Sequence, residues 1–344
     1  MPPKKVVYLF GAGATIAEWQ FAVGETREEL SLKGASEWVI TKAKEDENFG
    51  EMLSDVSTDN INDIELYISL LESVRTREYS DLTSLLRSLF CRSIQENLKY
   101  KGEPINPNLT MTLFEMHKAI VDDELFVGTI SLNYDNLLDR AHNEVFKGLN
   151  YGIRFKLEHA DYTLGENCSP LIKLHGSFNW RRGSRFIIID EEQAQAVEQA
   201  QMLWIPPSVE KENDSYPFNL LWGKASEMLN DCDILRIIGC KLSQNDWGLM
   251  SLLFNTQLES GGAYKIELIC PHDDGTDIKK RNGFLKNAYR LGELENCQDL
   301  VDHPPINVFE SWLRSKLAIH RGKGVQFDQL GLRHIDLLMG EKKE

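Results

Sequence analysis

Cysteine is sparse in this chain and never stands at metal-binding spacing. Cys91, Cys168, Cys232, Cys240, Cys270 and Cys297 are scattered, with no C-x-x-C pair among them. That excludes a zinc ribbon and a disulfide miniprotein, because both need closely spaced thiols. Long apolar runs are missing as well: the longest are about five residues, against the roughly 20 that a membrane span needs. The start, MPPKKVVYLFGAG, has neither an apolar h-region nor a small-residue cleavage site, so no signal peptide is expected. Positive charge is in deficit, 38 Lys plus Arg against 53 Asp plus Glu, for a net charge of −15. Sequence-independent binding to nucleic acid needs clustered cations, so no direct nucleic-acid binding is expected. With no repeat and no low-complexity tract either, the sequence reads as a soluble, reduced, cytoplasmic protein with no membrane contact.

What is present is an ordinary globular composition, 42% hydrophobic and 26% charged over 344 residues, enough for roughly two domain-sized units. Val6-Val7-Tyr8-Leu9-Phe10 is apolar without alternation, the pattern of a strand buried on both faces of a parallel sheet. Strand-like segments recur at 125–132, 171–174, 185–190, 234–239 and 266–270, with helices expected at 136–146, 191–202, 218–229 and 246–258. Strands alternating with helices predict an α/β fold, a Rossmann-like doubly wound parallel sheet. Residues 1–20 and 125–320 form this core. Residues 21–124 read as a large helical insertion with no strand signal, including runs from Asn62-Asp63, from Asp81 and over 110–120. The polar stretch 178–216 reads as a second insertion. Residues 307–320 form a final amphipathic helix, and the segment 321–344 holds a short apolar stretch, 335–339, suited to docking on a partner.

Polar motifs stand at the ends of these strands. Gly11-Ala12-Gly13-Ala14-Thr15 follows the first strand and opens a helix; glycines there permit a sharp turn and close approach to a phosphate, with the helix N–H groups and dipole facing it. A tight turn without a ligand would use the same residues. Asn133-Tyr134-Asp135 ends the next strand, where open α/β sheets bind ligands, although Asp135 could equally cap the following helix. Lys173-Leu174-His175-Gly176-Ser177 ends another. Gly239-Cys240-Lys241-Leu242-Ser243-Gln244-Asn245-Asp246 ends the fourth. The remaining histidines, His117, His142 and His272 among them, read as structural.

In this order and spacing, GAGAT, LNYD, KLHGS and IIGCKLSQND resemble the sirtuin superfamily, and more narrowly the sirtuin-like NAD-cleaving proteins of bacterial anti-phage defence. The resemblance covers roughly residues 5–20, 125–180 and 217–272. It implies that Gly11, Ala12, Gly13, Ala14 and Thr15 cradle the diphosphate of NAD. It implies that Asn133 contacts the nicotinamide ribose and helps place the water. Asp135 would bind the nicotinamide carboxamide, and His175 would be the general base. Ser177, Gly239, Ser243 and Asp246 would complete the NAD site. Two departures matter. The zinc module of the protein-deacylating members is absent, so no metal is implied. Where they carry an acidic-Phe-Arg segment, this chain has Trp19-Gln20-Phe21-Ala22-Val23. The implied activity is therefore NAD hydrolysis to nicotinamide and ADP-ribose, as the effector of an anti-phage system. Control would come from homo-oligomer assembly or from a partner such as a ring ATPase. The alternatives are a non-catalytic sensor of NAD or ADP-ribose and an NAD-dependent protein deacylase or ADP-ribosyltransferase.

Overall fold

The structure is a computed structural model. It describes residues 2–25, 27–54, 64–74, 77–119, 124–158, 162–165, 168–183, 186–190, 202–205, 215–240, 247–259, 264–269, 295–296, 307–323, 325, 327 and 332–339. Residues 191–201 of the expected helix 191–202, the caps Asn62-Asp63, and Ser243, Asp246, Cys270, Cys297 and His272 lie outside these residues, and Met202 itself is in a strand.

A six-stranded sheet organises the molecule, with strands in the spatial order 295–296, 265–269, 234–238, 4–10, 124–131 and 171–173. Every pairing within it is parallel. Its strands are β1 (Lys4–Phe10), β4 (Glu124–Ser131), β6 (Leu171–Lys173), β10 (Ile234–Ile238), β11 (Lys265–Ile269) and β12 (Glu295–Asn296). From Val6 to Phe10, β1 is buried on both faces, as a strand between two parallel neighbours must be. The chain leaves β1 for β4 and β6 on one side, then returns to place β10, β11 and β12 on the other. The strand order therefore reverses between β1 and β10, the position at which doubly wound sheets open a crevice at their carboxyl ends. This is the α/β, Rossmann-like architecture expected from the alternation.

Helices α1 (Ala12–Val23), α5 (Asn108–Ala119), α6 (Leu137–Phe146), α7 (Phe218–Asn230), α8 (Trp247–Glu259) and α9 (Val308–Gly322) belong to the same architecture. Helices α2 (Leu32–Lys44), α3 (Ile64–Ser73) and α4 (Arg77–Asn97) form a separate layer with its own apolar cluster. Among the described residues, the buried members of that cluster from outside residues 35–91 are Tyr134, Phe178 and Trp204.

Three features differ from the sequence reading. A short hairpin, β2 (Lys99–Tyr100) with β3 (Glu103–Pro104), lies where no strand was expected. Its turn places Lys101 and Gly102 at positive φ, and a two-residue loop of this hand matches the twist of its strands. The stretch 178–216 is not a polar excursion throughout. β7 (Gly176–Arg182), β8 (Ile187–Asp190) and β9 (Met202–Trp204) join β5 (Phe155–Glu158) in a second, four-stranded sheet. β7 escapes a hydrophobicity reading because Ser177 and Asn179 are buried in it beside Trp180. Finally, the apolar stretch near the end of the chain, in α10 (Arg333–Met339), docks within the chain itself. Ile335 and Leu338 are buried, and the backbone amides of His334 and Ile335 donate to Glu115 of α5.

Candidate active site

The glycine turn after β1 is built by contact with β10. A Cβ on Gly11 or Gly13 would lie 2.8 Å from the Gly239 carbonyl oxygen, and one on Gly239 would lie 2.0 Å from the Ala14 nitrogen. Gly239 itself has φ +64°, a conformation that glycine adopts without steric cost. The Gly11 amide donates to Ile238 O (2.9 Å) and the Gly13 amide to Gly239 O (2.8 Å). The glycines thus let two backbones touch. The Ala14 amide returns to Gly11 O, and both Ala14 and Thr15 are buried, so within this turn only Ala12 is exposed and Gly13 partly so. Helix α1 has no side-chain cap and no acid in its first turn, and with the Gly11, Gly13 and Ala14 amides bonded to carbonyls the Ala12 amide is, among the described residues, its remaining first-turn donor.

Beside this turn, the loop after β4 delivers Asn133 and Asp135, both 8% exposed. Thr15 links them: its hydroxyl donates to Asp135 Oδ2 (2.8 Å) and accepts from Asn133 Nδ2 (3.0 Å). Asn133 Nδ2 also donates to Gly11 O (3.1 Å). The orientation of the Asn133 amide is dictated by its partners. Gly11 O can only accept, and the one Thr15 hydrogen is committed to a carboxylate, so the NH2 must face both. Among the described residues nothing donates to Asn133 Oδ1, which leaves a fixed acceptor on a buried side chain. Asp135 Oδ1 accepts from the Leu137 amide (3.0 Å), so the residue also caps the start of α6. Burial raises the Asp135 pKa, against the opposing pull of Lys173 and of its two hydrogen bonds.

His175 lies at the corner between β6 and β7. Its Nδ1 is 3.2 Å from Leu132 O; a carbonyl only accepts, so Nδ1 carries the hydrogen and Nε2 is the basic nitrogen of the neutral ring. The ring is 3% exposed and stands between Tyr134 and Trp222, with centroids 6.0 and 6.3 Å away. Gly176 does not simply leave His175 unobstructed. It has φ +75°, and a Cβ there would lie 2.4 Å from Leu203 O, so it makes the corner and lets β9 approach.

Of the residues expected at the site, the loop ends therefore bring together Gly11, Thr15, Asn133, Asp135 and Gly239, with His175 held on Leu132 O. Ser177 is fully buried with its hydroxyl turned inward, onto Lys173 and Tyr134 O. Thr15 faces Asn133 and Asp135 and has no hydroxyl left for a diphosphate. Sequence reasoning missed the support beneath the site. Lys173, fully buried, donates to Asp135 O, Asp139 and Ser177. Glu18, one turn along α1 from Thr15, accepts from the Leu109 and Thr110 amides at the start of α5, and burial pushes its pKa up to about 7. The only signal for these two was a charged residue inside an apolar run. Among the described residues no group of three or more His, Cys, Asp or Glu side chains could hold a metal ion.

No family model matches the chain, and no curated protein matches it. Among solved structures it is similar to Sir2Tm bound to a propionylated peptide, at 10% identity over 84% of this chain and 94% of that one, with a TM-score of 0.38. It is similar to a Sir2 homologue in complex with NAD, at 13% identity over 78% and 79%, with a TM-score of 0.41. A variant Sir2 homologue in complex with 2′-O-acetyl ADP ribose matches at 14% identity over 80% and 84%, with a TM-score of 0.41.

Proposed function

We propose that this chain hydrolyses NAD at the nicotinamide–ribose bond, giving nicotinamide and ADP-ribose. The observation that carries the reading is Asn133. Its carboxamide is buried and immobilised by Gly11 and Thr15, its Oδ1 is left to accept, and it follows directly on Leu132, whose carbonyl holds His175. The Ala12 amide, with the positive end of α1 behind it, suits one oxygen of the diphosphate.

In this reading the C1′–N1 bond of NAD breaks and positive oxocarbenium character develops at C1′. Fixed dipoles aimed at that carbon lower the barrier because they need no reorganisation. Asn133 Oδ1 accepts a hydrogen bond from the attacking water or a ribose hydroxyl. As the C1′–O bond forms, the proton of the nucleophile passes to His175 Nε2 and then to solvent. Asp135 accepts from the Thr15 hydroxyl and the Leu137 amide, and so holds Thr15 and through it Asn133. The motif resemblance extends the proposal to an anti-phage effector kept silent until homo-oligomer assembly or a partner such as a ring ATPase releases it.

The test is nicotinamide release by the purified chain over a wide range of protein concentration, with and without a ring ATPase. Asn133→Ala and His175→Ala should each lose at least about 100-fold, the scale of a missing positioned acid–base group. Turnover that survives both substitutions overturns the assignment. The burial of His175, at 3% exposure, favours a second reading, a sensor that binds NAD or ADP-ribose without cleaving it. Its signature is calorimetric binding with no nicotinamide released.

A further inference from the structure

Lys173 is the last residue of β6, and its ammonium is wholly shut off from solvent. Its three donors are all used: on Asp135 O (2.6 Å), Asp139 Oδ2 (2.7 Å) and Ser177 Oγ (2.7 Å). These acceptors come from the loop after β4, from α6 and from β7. Ser177 passes the grip on, since its hydroxyl donates to Tyr134 O (3.0 Å). Consecutive carbonyls, those of Tyr134 and Asp135, are thus drawn toward one buried cation. Asp139, the counter-ion, is itself held by the Tyr151 hydroxyl. The contacts above Lys173 are the ones described for the site: Asp135 on Thr15, Thr15 on Asn133, and His175 two residues further along the chain. A buried ion pair is a poor source of stability, because desolvation offsets its attraction. Its directional bonds to two separate chain segments nonetheless constrain how those segments sit.

We infer that Lys173 is a positioning residue: from beneath, it sets the loop carrying Asn133 and Asp135 against the corner carrying His175. It touches no substrate and acts through the Tyr134 and Asp135 carbonyls. The inference rests on the NAD-cleaving reading for its consequence in turnover, and on geometry alone for its consequence in loop order.

The experiment uses the full chain with Lys173→Met and Asp139→Asn combined, so that the ion pair is removed as a unit while Asp135 keeps its bonds from the Thr15 hydroxyl and the Leu137 amide. Asn at 139 retains an acceptor for Tyr151. Ser177→Ala, which cuts only the link to Tyr134 O, is the second variant. Nicotinamide release is measured against NAD concentration, and amide hydrogen exchange is followed over residues 132–137. The double variant should lose at least about 100-fold in kcat with KM for NAD changed less than about threefold, and Ser177→Ala about tenfold in kcat. Partial unfolding would also lower apparent kcat at unchanged KM by reducing the active fraction, and faster exchange throughout the chain would reveal it. Exchange over 132–137 should speed up at least about tenfold with β1 and β10 unchanged. A folded double variant with kcat within about threefold of the parent overturns the inference, and so does unchanged exchange over 132–137. If the double variant does not fold, Ser177→Ala with unchanged kcat and unchanged exchange overturns it. A parent chain that neither binds nor cleaves NAD overturns the reading of the site instead, and the exchange result then decides Lys173 by itself.

Discussion

Among the described residues the central sheet carries buried cations at two places, and they are used differently. Arg236, in the middle of β10, reaches Glu267 on β11 (2.6 Å), Glu124 on β4 (2.6 Å) and the Tyr8 hydroxyl on β1 (3.0 Å). Its guanidinium also lies 5.5 Å from the Trp312 ring and 5.7 Å from that of Tyr8. Tyr8, Arg236 and Glu267 are neighbours in register, so this fork ties strand to strand. Lys173 sits at the end of its strand and ties loops to one another. A planar group with five donors suits the first task, and a compact ammonium with three suits the second. Both cations are buried, but Asp139 is wholly buried as well, whereas Glu124 and Glu267 reach solvent at 24% and 13% exposure. What separates a structural cation from one at a site is the kind of segment to which its partners belong.

The largest effect should come from breaking the strand cluster. Arg236→Met leaves Glu124 and Glu267 without their shared partner and should cost about 3–5 kcal/mol in chemical denaturation. Lys173→Met should cost a similar amount, and adding Asp139→Asn should recover most of it. Arg236→Met with Glu267→Gln should recover less, because Glu124 then keeps only Lys316, 3.7 Å away. Equal rescue in both cases would erase the distinction.

Helix α5 sharpens the comparison, since it touches both neighbourhoods. Its first turn is held by Glu18 near the site, and His117 in its last turn meets the Tyr8 hydroxyl at 2.6 Å in the Arg236 cluster. The two groups should give pH dependences of opposite sign. For Glu18, burial lifts the carboxyl from 4.5 to about 7 in the folded chain. Its contribution is therefore fully present below pH 4.5 and lost as pH rises through 7. Relative to Glu18→Gln, the parent should gain roughly 2–3 kcal/mol on going from pH 8 to pH 5. For His117, burial depresses the ring from 6.5 to about 3. Its contribution is present above pH 6.5 and is lost as pH falls toward 3. Relative to His117→Gln, the parent should lose about 2 kcal/mol between pH 7 and pH 5. Denaturant midpoints of the parent and both variants at these pH values decide the point, and parallel curves would refute it. The smallest effect is expected on the surface. Lys224→Ala, which removes the exposed pair with Glu227, should change stability by less than about 0.5 kcal/mol in the same assay.

How far the sequence could be read follows from the range of the interactions. β1, β4, β6, β10 and β11 were visible because a strand buried on both faces is an apolar run, which is a local property. β7 was not, since polar residues fill its buried positions. Asn133, Asp135 and His175 were legible as polar residues where apolar strands end. Their partners were not, because Thr15 lies 118 residues from Asn133, and Asp139 lies 34 from Lys173. No periodicity records such pairings. Gly11 and Gly13 read as a phosphate turn and Gly239 as another part of the NAD site, whereas the measurable task of all three is to let the loops after β1 and β10 meet.

That meeting has a consequence for how the chain can vary. Each of the three glycines occupies the space that a side chain on another would need, so the clearance is a joint property of the set. A methyl group on any one of them meets backbone, which cannot swing aside as a flexible side chain can. Combining substitutions adds bulk to a gap already filled, and no second change at these positions relieves the first. Such a junction drifts only if the loops after β1 and β10 are rebuilt together. In a directed-evolution library these positions should stay fixed while Ala12, exposed between two of them, accepts change.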